Sequence, residues 1–406
     1  MTYWTSQRSR SAQLPHRFAH ANQNDTANTR ARQSGLTLVE LLVAMTIGLF
    51  MLIAIGLVYS TSKTGFSYAA NTVRMSEDAS FALDMMGRDI RMAGYAGCTG
   101  SNVQTLPTIP PVDMFTPKLD LVDSQTVSGN QKPNPFSGVI GGNLLQIFTS
   151  RNAVWGFAPN DSGALGVLGG SLTSYSPSTT NPILYLAGGS SQAMQVQAAV
   201  AAPGDAITIS ADTYRWGNNP NSTFMIISDC KGSEMFRADS VSASGSVVRI
   251  SHAATANDSA DLSNTYGADS IVTPLVTSVY FLATRAGTST PSLYRRSFNG
   301  SVADVEELIP NVSAIAFHYG VNTSNTPTGD PTFRADSYVT DATLVTDWSR
   351  VVSVRMGLIL ASEDLGKAAV AGQNVTWLDG TFTPPNDSRL RRAYSTTVSI
   401  RNRMGL

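Results

Sequence analysis

Residues 36–59 read LTLVELLVAMTIGLFMLIAIGLVY, an apolar run with one charge in it, Glu40. As an α-helix this run rises about 36 Å, enough to cross a hydrocarbon core of about 30 Å. A carboxylate there costs up to roughly 3 kcal/mol, less near the membrane interface than at its centre. Such a charge calls for a partner. Ahead of Leu36, Arg8, Arg10, Arg17, Arg30 and Arg32 against Asp25 leave +4. From Leu36 onward, 23 basic and 28 acidic residues leave −5. A basic flank before an apolar span holds the N-terminus in the cytoplasm and sends the downstream chain outward.

Three ordinary readings account for less. A secretory signal has a shorter apolar core followed by a small-x-small cleavage site, and none precedes Tyr59. A lipoprotein signal needs a cysteine directly after the apolar run, and the first is Cys98. A plain anchor fits the length but gives no role to Gly35, Glu40 or the basic flank. The segment SGLTLVELLVAM (34–45) resembles the prepilin processing motif of type IV pilins and type II secretion pseudopilins. That resemblance implies cleavage by a prepilin peptidase between Gly35 and Leu36, N-methylation of Leu36, and a mature chain of 371 residues from the original 406. Leu36 stands where the family usually has phenylalanine. Glu40 becomes the fifth mature residue, and in the family this carboxylate pairs with the N-terminal ammonium of a neighbouring subunit and sets its axial register. Pairing offsets the cost of burying the acid. The midway proline of many major pilins is missing; Gly48 and Gly56 sit in the span instead, as bending points or as close-packing positions.

Past Tyr59 the polarity rises while helical periodicity continues to about Ala93. Met75, Ala79, Ala82, Met86, Ile90 and Ala93 recur at three- and four-residue spacing, with Arg74, Glu77, Asp78, Asp84, Arg88 and Arg91 elsewhere on the surface. Gly94 and Gly97 are placed to end the helix. Short β-like runs come next at 144–148, 183–186, 206–210, 224–228, 247–250, 276–283, 313–319, 351–360 and 393–400, separated by long turn-rich connections, 97–135 and 322–336 among them. Residues 350–356 alternate polar and apolar as in a half-buried strand. The expected fold is α+β and pilin-like: a long N-terminal helix, membrane-spanning in its first half, packed on an elaborated antiparallel sheet. The expected organisation is a leader (1–35, removed), an assembly helix (36–60), its continuation (61–97) and a β-rich head (98–406).

Three patches resemble PilW-like minor pilins: GYAGC (94–98), WSRVVSVR (348–355) and LRRAYSTTVSIRNR (390–403). The resemblance implies a role in initiating, priming or capping a type IV pilus (fimbrium), with twitching motility, cell adhesion and DNA uptake downstream. The implied partners are the prepilin peptidase, the inner-membrane assembly platform, other minor pilins, the major pilin and a tip adhesin. It places the chain in the inner membrane with a periplasmic head before assembly and near the pilus tip afterwards. A J-type pseudopilin of type II secretion is the nearest alternative; an uncut, membrane-tethered periplasmic enzyme or binding protein is the more distant one.

Charged residues make up 14% of the chain against roughly 25% in ordinary soluble proteins, which suits a secreted strand-and-loop domain. Export makes a Cys98–Cys230 disulfide the natural reading, worth at most roughly 5 kcal/mol, with two separate buried thiols as the alternative. No signature of catalysis accompanies His16, His20, His252 and His318, so no enzyme activity, cofactor or metal is expected. The glycine-rich segment 163–170 lacks a phosphate-cradle spacing and reads as a flexible loop. Asp330, Asp336 and Asp341 come after a Tyr-Gly pair without the DxDxDG pattern of a calcium loop. Arg389, Arg391, Arg392, Arg401 and Arg403 form a basic tail that could meet DNA phosphates, but its strand-like pattern favours pairing with acids on neighbouring strands, and the mature chain has no basic field.

Overall fold

The computed structural model describes residues 37–97, 153–168, 174–211, 223–229, 233–254, 264–299, 303–323, 334–363 and 374–403, with 115–117, 132, 172, 257 and 260–262 besides. It divides into two compact units, 1–62 and 63–406. Helix α1 (Leu38–Met92) is 55 residues long and starts in the first unit. There its side chains are exposed on every side, Leu38, Phe50 and Leu57 included.

In the second unit α1 buries one face only: Met75, Ala79, Ala82, Met86 and Ile90, the predicted stripe. It ends where a left-handed backbone begins. Gly94 has φ 78° and Gly97 has φ 95°, a region that favours glycine. The Gly94 N–H donates to the Ala187 carbonyl, and Asn402 Nδ2 reaches the carbonyls of Arg91, Met92 and Ala93 at 3.2–3.4 Å. The end of the chain thus caps the end of its first helix.

The strands run in chain order as β1 (Phe115–Pro117), β2 (Val154–Phe157), β3 (Tyr175–Pro177), β4 (Ile183–Gly189), β5 (Met194–Gln195), β6 (Ile207–Ser210), β7 (Phe224–Ser228), β8 (Ser233–Arg237), β9 (Ser240–Ser244), β10 (Val247–Ser251), β11 (Ile271–Arg285), β12 (Ser292–Phe298), β13 (Ala303–Ile309), β14 (Val312–Val321), β15 (Ser337–Val339), β16 (Val351–Ala361), β17 (Val375–Trp377), β18 (Gly380–Phe382) and β19 (Arg391–Ser399). The large sheet has the order β1-β8-β7-β11-β12-β13, with β2-β4, β3 and β5 on the other side of β11. At Pro274 the partners of β11 change: β7 and β5 pair with its start, β4 and β12 with its remainder. A proline cannot donate to a ladder, so it suits that junction. A second sheet has the order β15-β14-β16-β19, and β6-β10-β9 covers a smaller core of its own.

The head is rich in antiparallel sheet, as expected, and its elaboration takes these forms. It holds two main sheets, and β1, inside the connection 97–135, pairs with β8 in parallel. The run at 144–148 lies outside the described residues. Strand β16 is buried on both faces rather than half-buried. Its outer face is covered: Tyr338 Oη lies 3.2 Å from Ser353 Oγ, and Gly357 leaves room for Leu378 and Trp377 of the β17–β18 hairpin. The glycine-rich loop contains a short helix, α2 (Ala164–Val167), whose Val167 is buried with Leu168 in the main core.

Both sheets meet α1 and each other. Tyr280 of β11 donates to Asp89 of α1 at 2.6 Å, and Val398 of β19 faces Gly87. Trp155 of β2 stacks on Trp348 with ring centroids 4.9 Å apart, and Tyr319 of β14 meets Trp348 edge-on at 4.8 Å. Gly156 lies against the Tyr319 hydroxyl, where a side chain would not fit. One core therefore joins helix and sheets.

Candidate functional site

The N-terminal turn of α1 is built by Thr37 and Glu40. Glu40 N–H donates to Thr37 Oγ1 at 3.3 Å, and the Thr37 N–H and hydroxyl both face Glu40 Oε2 at 3.4 Å. This is a reciprocal capping box, T-x-x-E, at the start of a helix whose first N–H groups have no partner of their own. The contacts are long, and the carboxylate stays exposed. A charge-assisted bond at about 2.7–2.9 Å is stronger. Glu40 is thus held in place but not used up. Gly35 and Leu36 lie outside the described residues, as do Cys98 and Cys230. A Cβ added at Gly48 or Gly56 would meet nothing within 4 Å.

The first part of α1 is apolar all round, which suits lipid or a bundle of helices rather than water. In the second unit three large apolar side chains of α1 stay exposed. Phe66, Val73 and Phe81 are 82%, 56% and 50% exposed. At 100° per residue they fall within about 80° of one another, opposite the Met75–Ile90 face. Glu77 and Asp84 lie within the same sector and Arg74 beside it. Charged neighbours keep this stretch out of a hydrocarbon layer, so a protein surface is the suitable cover.

The basic tail is largely committed to the fold. Arg391 forks onto both oxygens of Asp387 at 2.6 Å and donates through Nε to Ser313. Arg389 donates to Asn311 Oδ1 at 3.0 Å and to the Ser362 carbonyl at 3.1 Å. Arg392 and Arg401 are exposed; the side chain of Arg403 lies outside the described atoms. The pairing with acids comes from Asp387, four residues back in the chain, instead of a neighbouring strand. Hydrogen bonds from Arg391 hold the Asp387 carboxyl below the usual carboxylate range. A lowered folded pKa gives stability that is present above the ordinary carboxylate value and lost as pH falls through the folded one. Asp387→Asn is therefore expected to flatten the loss of melting temperature between about pH 4 and pH 2, as followed by circular dichroism.

The remaining polar candidates are structural. Both ring nitrogens of buried His252 face backbone carbonyls, of Ala260 at 2.8 Å and Asp205 at 3.0 Å. His318 Nε2 lies 2.5 Å from Asp379 Oδ1 and ties the β17–β18 turn to β14. Asp336 accepts from Thr323, and Asp341 caps the turn Ala342–Leu344 by accepting from Thr343. His16, His20 and Asp330 lie outside the described residues.

The model of the prokaryotic N-terminal methylation motif matches residues 30–56, around the capping box. The model of type IV pilus-assembly protein W matches residues 279–402, from the second half of β11 to the capping asparagine. In both regions the chain resembles PilW-like type IV minor pilins. Comparisons with curated proteins and with solved structures gave no match. The PilW match takes in Tyr280, Tyr319, Trp348 and Asn402, the residues by which the C-terminal part grips α1 and the large sheet. Residues 98–278, which supply the smaller core, lie outside it. A PilW-like pilin is a structural member of the pilus system, anchored through its N-terminal helix and partnered by other pilins.

Proposed function

We propose that this PilW-like pilin helps to initiate, prime or cap a type IV pilus after prepilin peptidase has cut between Gly35 and Leu36. The observation that carries the reading is Glu40, a single exposed carboxylate one turn into a helix apolar all round. After cleavage the new amine on Leu36 is methylated and stays positively charged. In a bundle of helices, the Glu40 of one subunit receives the ammonium of another and gives up its long contacts to Thr37 for a shorter, charge-assisted one. The apolar span leaves the bilayer for the bundle, and Phe66, Val73 and Phe81 extend helix contact into the soluble half of α1. The leader (1–35) is left at the inner membrane's cytoplasmic face. The head (98–406) folds in the periplasm, where Cys98 and Cys230 form a disulfide, and it reaches the pilus with other minor pilins near the tip. Adhesion, twitching motility and DNA uptake depend on that assembly.

Intact mass spectrometry tests the processing step. With active prepilin peptidase the protein is expected to lose its first 35 residues and gain one methyl group, and the mature form should co-purify with sheared pili. A chain that keeps its leader in that host contradicts the reading, and recovery only with a secretion pseudopilus moves the protein to that machine.

A further inference from the structure

A groove of about 560 Å³ opens where α1 ends, between the last helical turn, the end of β4, and β11 and β12. Four guanidinium side chains line it: Arg88, Arg91, Arg295 and Arg401. Two are committed. Arg88 pairs with Asp84 at 2.6 Å, and Arg295 lies 2.9 Å from Glu306 and 3.6 Å from Asp89. The acid in the lining, Asp89, also accepts the Tyr280 hydroxyl at 2.6 Å. Arg91 and Arg401 carry no ion pair among the described residues.

A helix C-terminus attracts cations through its unpaired carbonyls, equivalent to roughly half a negative charge. That explanation falls short here. Asn402 already donates to the carbonyls of Arg91, Met92 and Ala93, and the Tyr95 N–H also donates to Met92. Half a charge on satisfied carbonyls does not balance two guanidiniums. Two planar guanidiniums in a lining that also holds Ser190 and Ser191 suit an oxyanion with flat, bidentate geometry. A long polyphosphate is the poorer match, because the chain from Leu36 onward has a charge of −5 and repels an extended polyanion.

We infer that this groove binds an acidic protein segment, with an aspartate or glutamate carboxylate held between Arg91 and Arg401. The inference stands on the charge layout of the head and does not require the pilus reading. The test uses the full chain in a zwitterionic detergent, titrated at low salt with fluorescein-labelled hexaglutamate and followed by anisotropy. Saturable binding is expected. Arg91→Gln with Arg401→Gln should weaken it at least tenfold. The control pair Arg249→Gln and Arg285→Gln, exposed and outside the groove lining, makes the same change in net charge and should weaken it less than twofold. Arg91→Lys with Arg401→Lys keeps the charge but loses the forks, and an intermediate, several-fold weakening is expected; it also serves if the glutamine pair does not fold. Absence of saturable binding, equal losses in the groove and control pairs, or tighter binding of an oligothymidylate of equal charge would each overturn the inference.

Discussion

Glu40→Ala is expected to leave peptidase processing intact and to lower the protein's share of sheared filaments at least tenfold. The proposed cut lies four residues before Glu40, and the change leaves Gly35 and the apolar run in place. In the proposed bundle, removing the acid would strand a neighbour's ammonium among apolar helices. Breaking a buried pair this way costs about 3–5 kcal/mol, or roughly two to three and a half orders of magnitude in an equilibrium constant. The competing explanation is the capping box, since Glu40 also serves Thr37. Lost helix caps cost about 0.5–2 kcal/mol. Two further variants separate the causes. Thr37→Ala breaks the cap and keeps the charge, so incorporation should stay within a few-fold of normal. Glu40→Gln keeps a hydrogen-bonding side chain and removes the charge, so incorporation should fall as far as with alanine. If glutamine assembles normally, Glu40 acts as a cap and the proposed pairing is wrong. Immunoblots of sheared and cell-bound fractions give the ratio.

The parts of this fold that are legible in sequence are those with one regular pattern and one environment. The apolar run, the Met75–Ile90 stripe and the stop at Gly94 all match α1 closely. The 224–228 run coincides with β7, and the runs at 183–186, 313–319, 351–360 and 393–400 fall on β4, β14, β16 and β19. Strands built around charges were hidden. Strand β12 carries Arg295 and Arg296 side by side, which reads as a loop until Asp89, Glu306 and the Leu168 carbonyl are found to receive them. Strand β8 contains Glu234, fully buried because Tyr266, at 2.9 Å, and Asn264 donate to it. The first half of β11 is masked by Pro274. Strand β16 looked half-buried because Ser353 and Gly357 are polar or small, yet each makes space for a covering residue. The capping box was written in Thr37-x-x-Glu40, but the cost of a charge in an apolar run drew the reading toward the membrane. The groove needed the fold: Arg91 and Arg401 are 310 positions apart in sequence and line one groove only because the last strand returns to the end of the first helix.

Trp348→Ala is expected to destabilise the head by about 3–5 kcal/mol, the range for deleting a large buried aromatic. Trp348 is 2% exposed and belongs to a one-turn 3₁₀ helix, Trp348–Arg350, capped by Asp347, which accepts from Ser349 N–H at 3.0 Å. Its neighbours come from different sheets: Trp155 from β2 on one side, Tyr319 from β14 on the other. Removing the indole forfeits both ring contacts and leaves a cavity that rigid partners cannot collapse into, since Gly156 already lies against Tyr319. A fall in melting temperature of roughly 5–10 °C should result. Trp348→Phe keeps one ring in place and should cost less than half as much. The functional consequence differs in kind from that of Glu40. The proposed processing at Gly35 lies in another unit of the chain and should be untouched, while the protein should accumulate at reduced abundance. Its loss from pili should then match its loss from the cell, so the ratio of sheared to cell-bound protein stays near that of the parent. A Trp348→Ala chain that melts normally would show that the two sheets are held by other contacts. A chain that accumulates normally yet is missing from filaments would make this aromatic stack part of the assembly surface instead of the core.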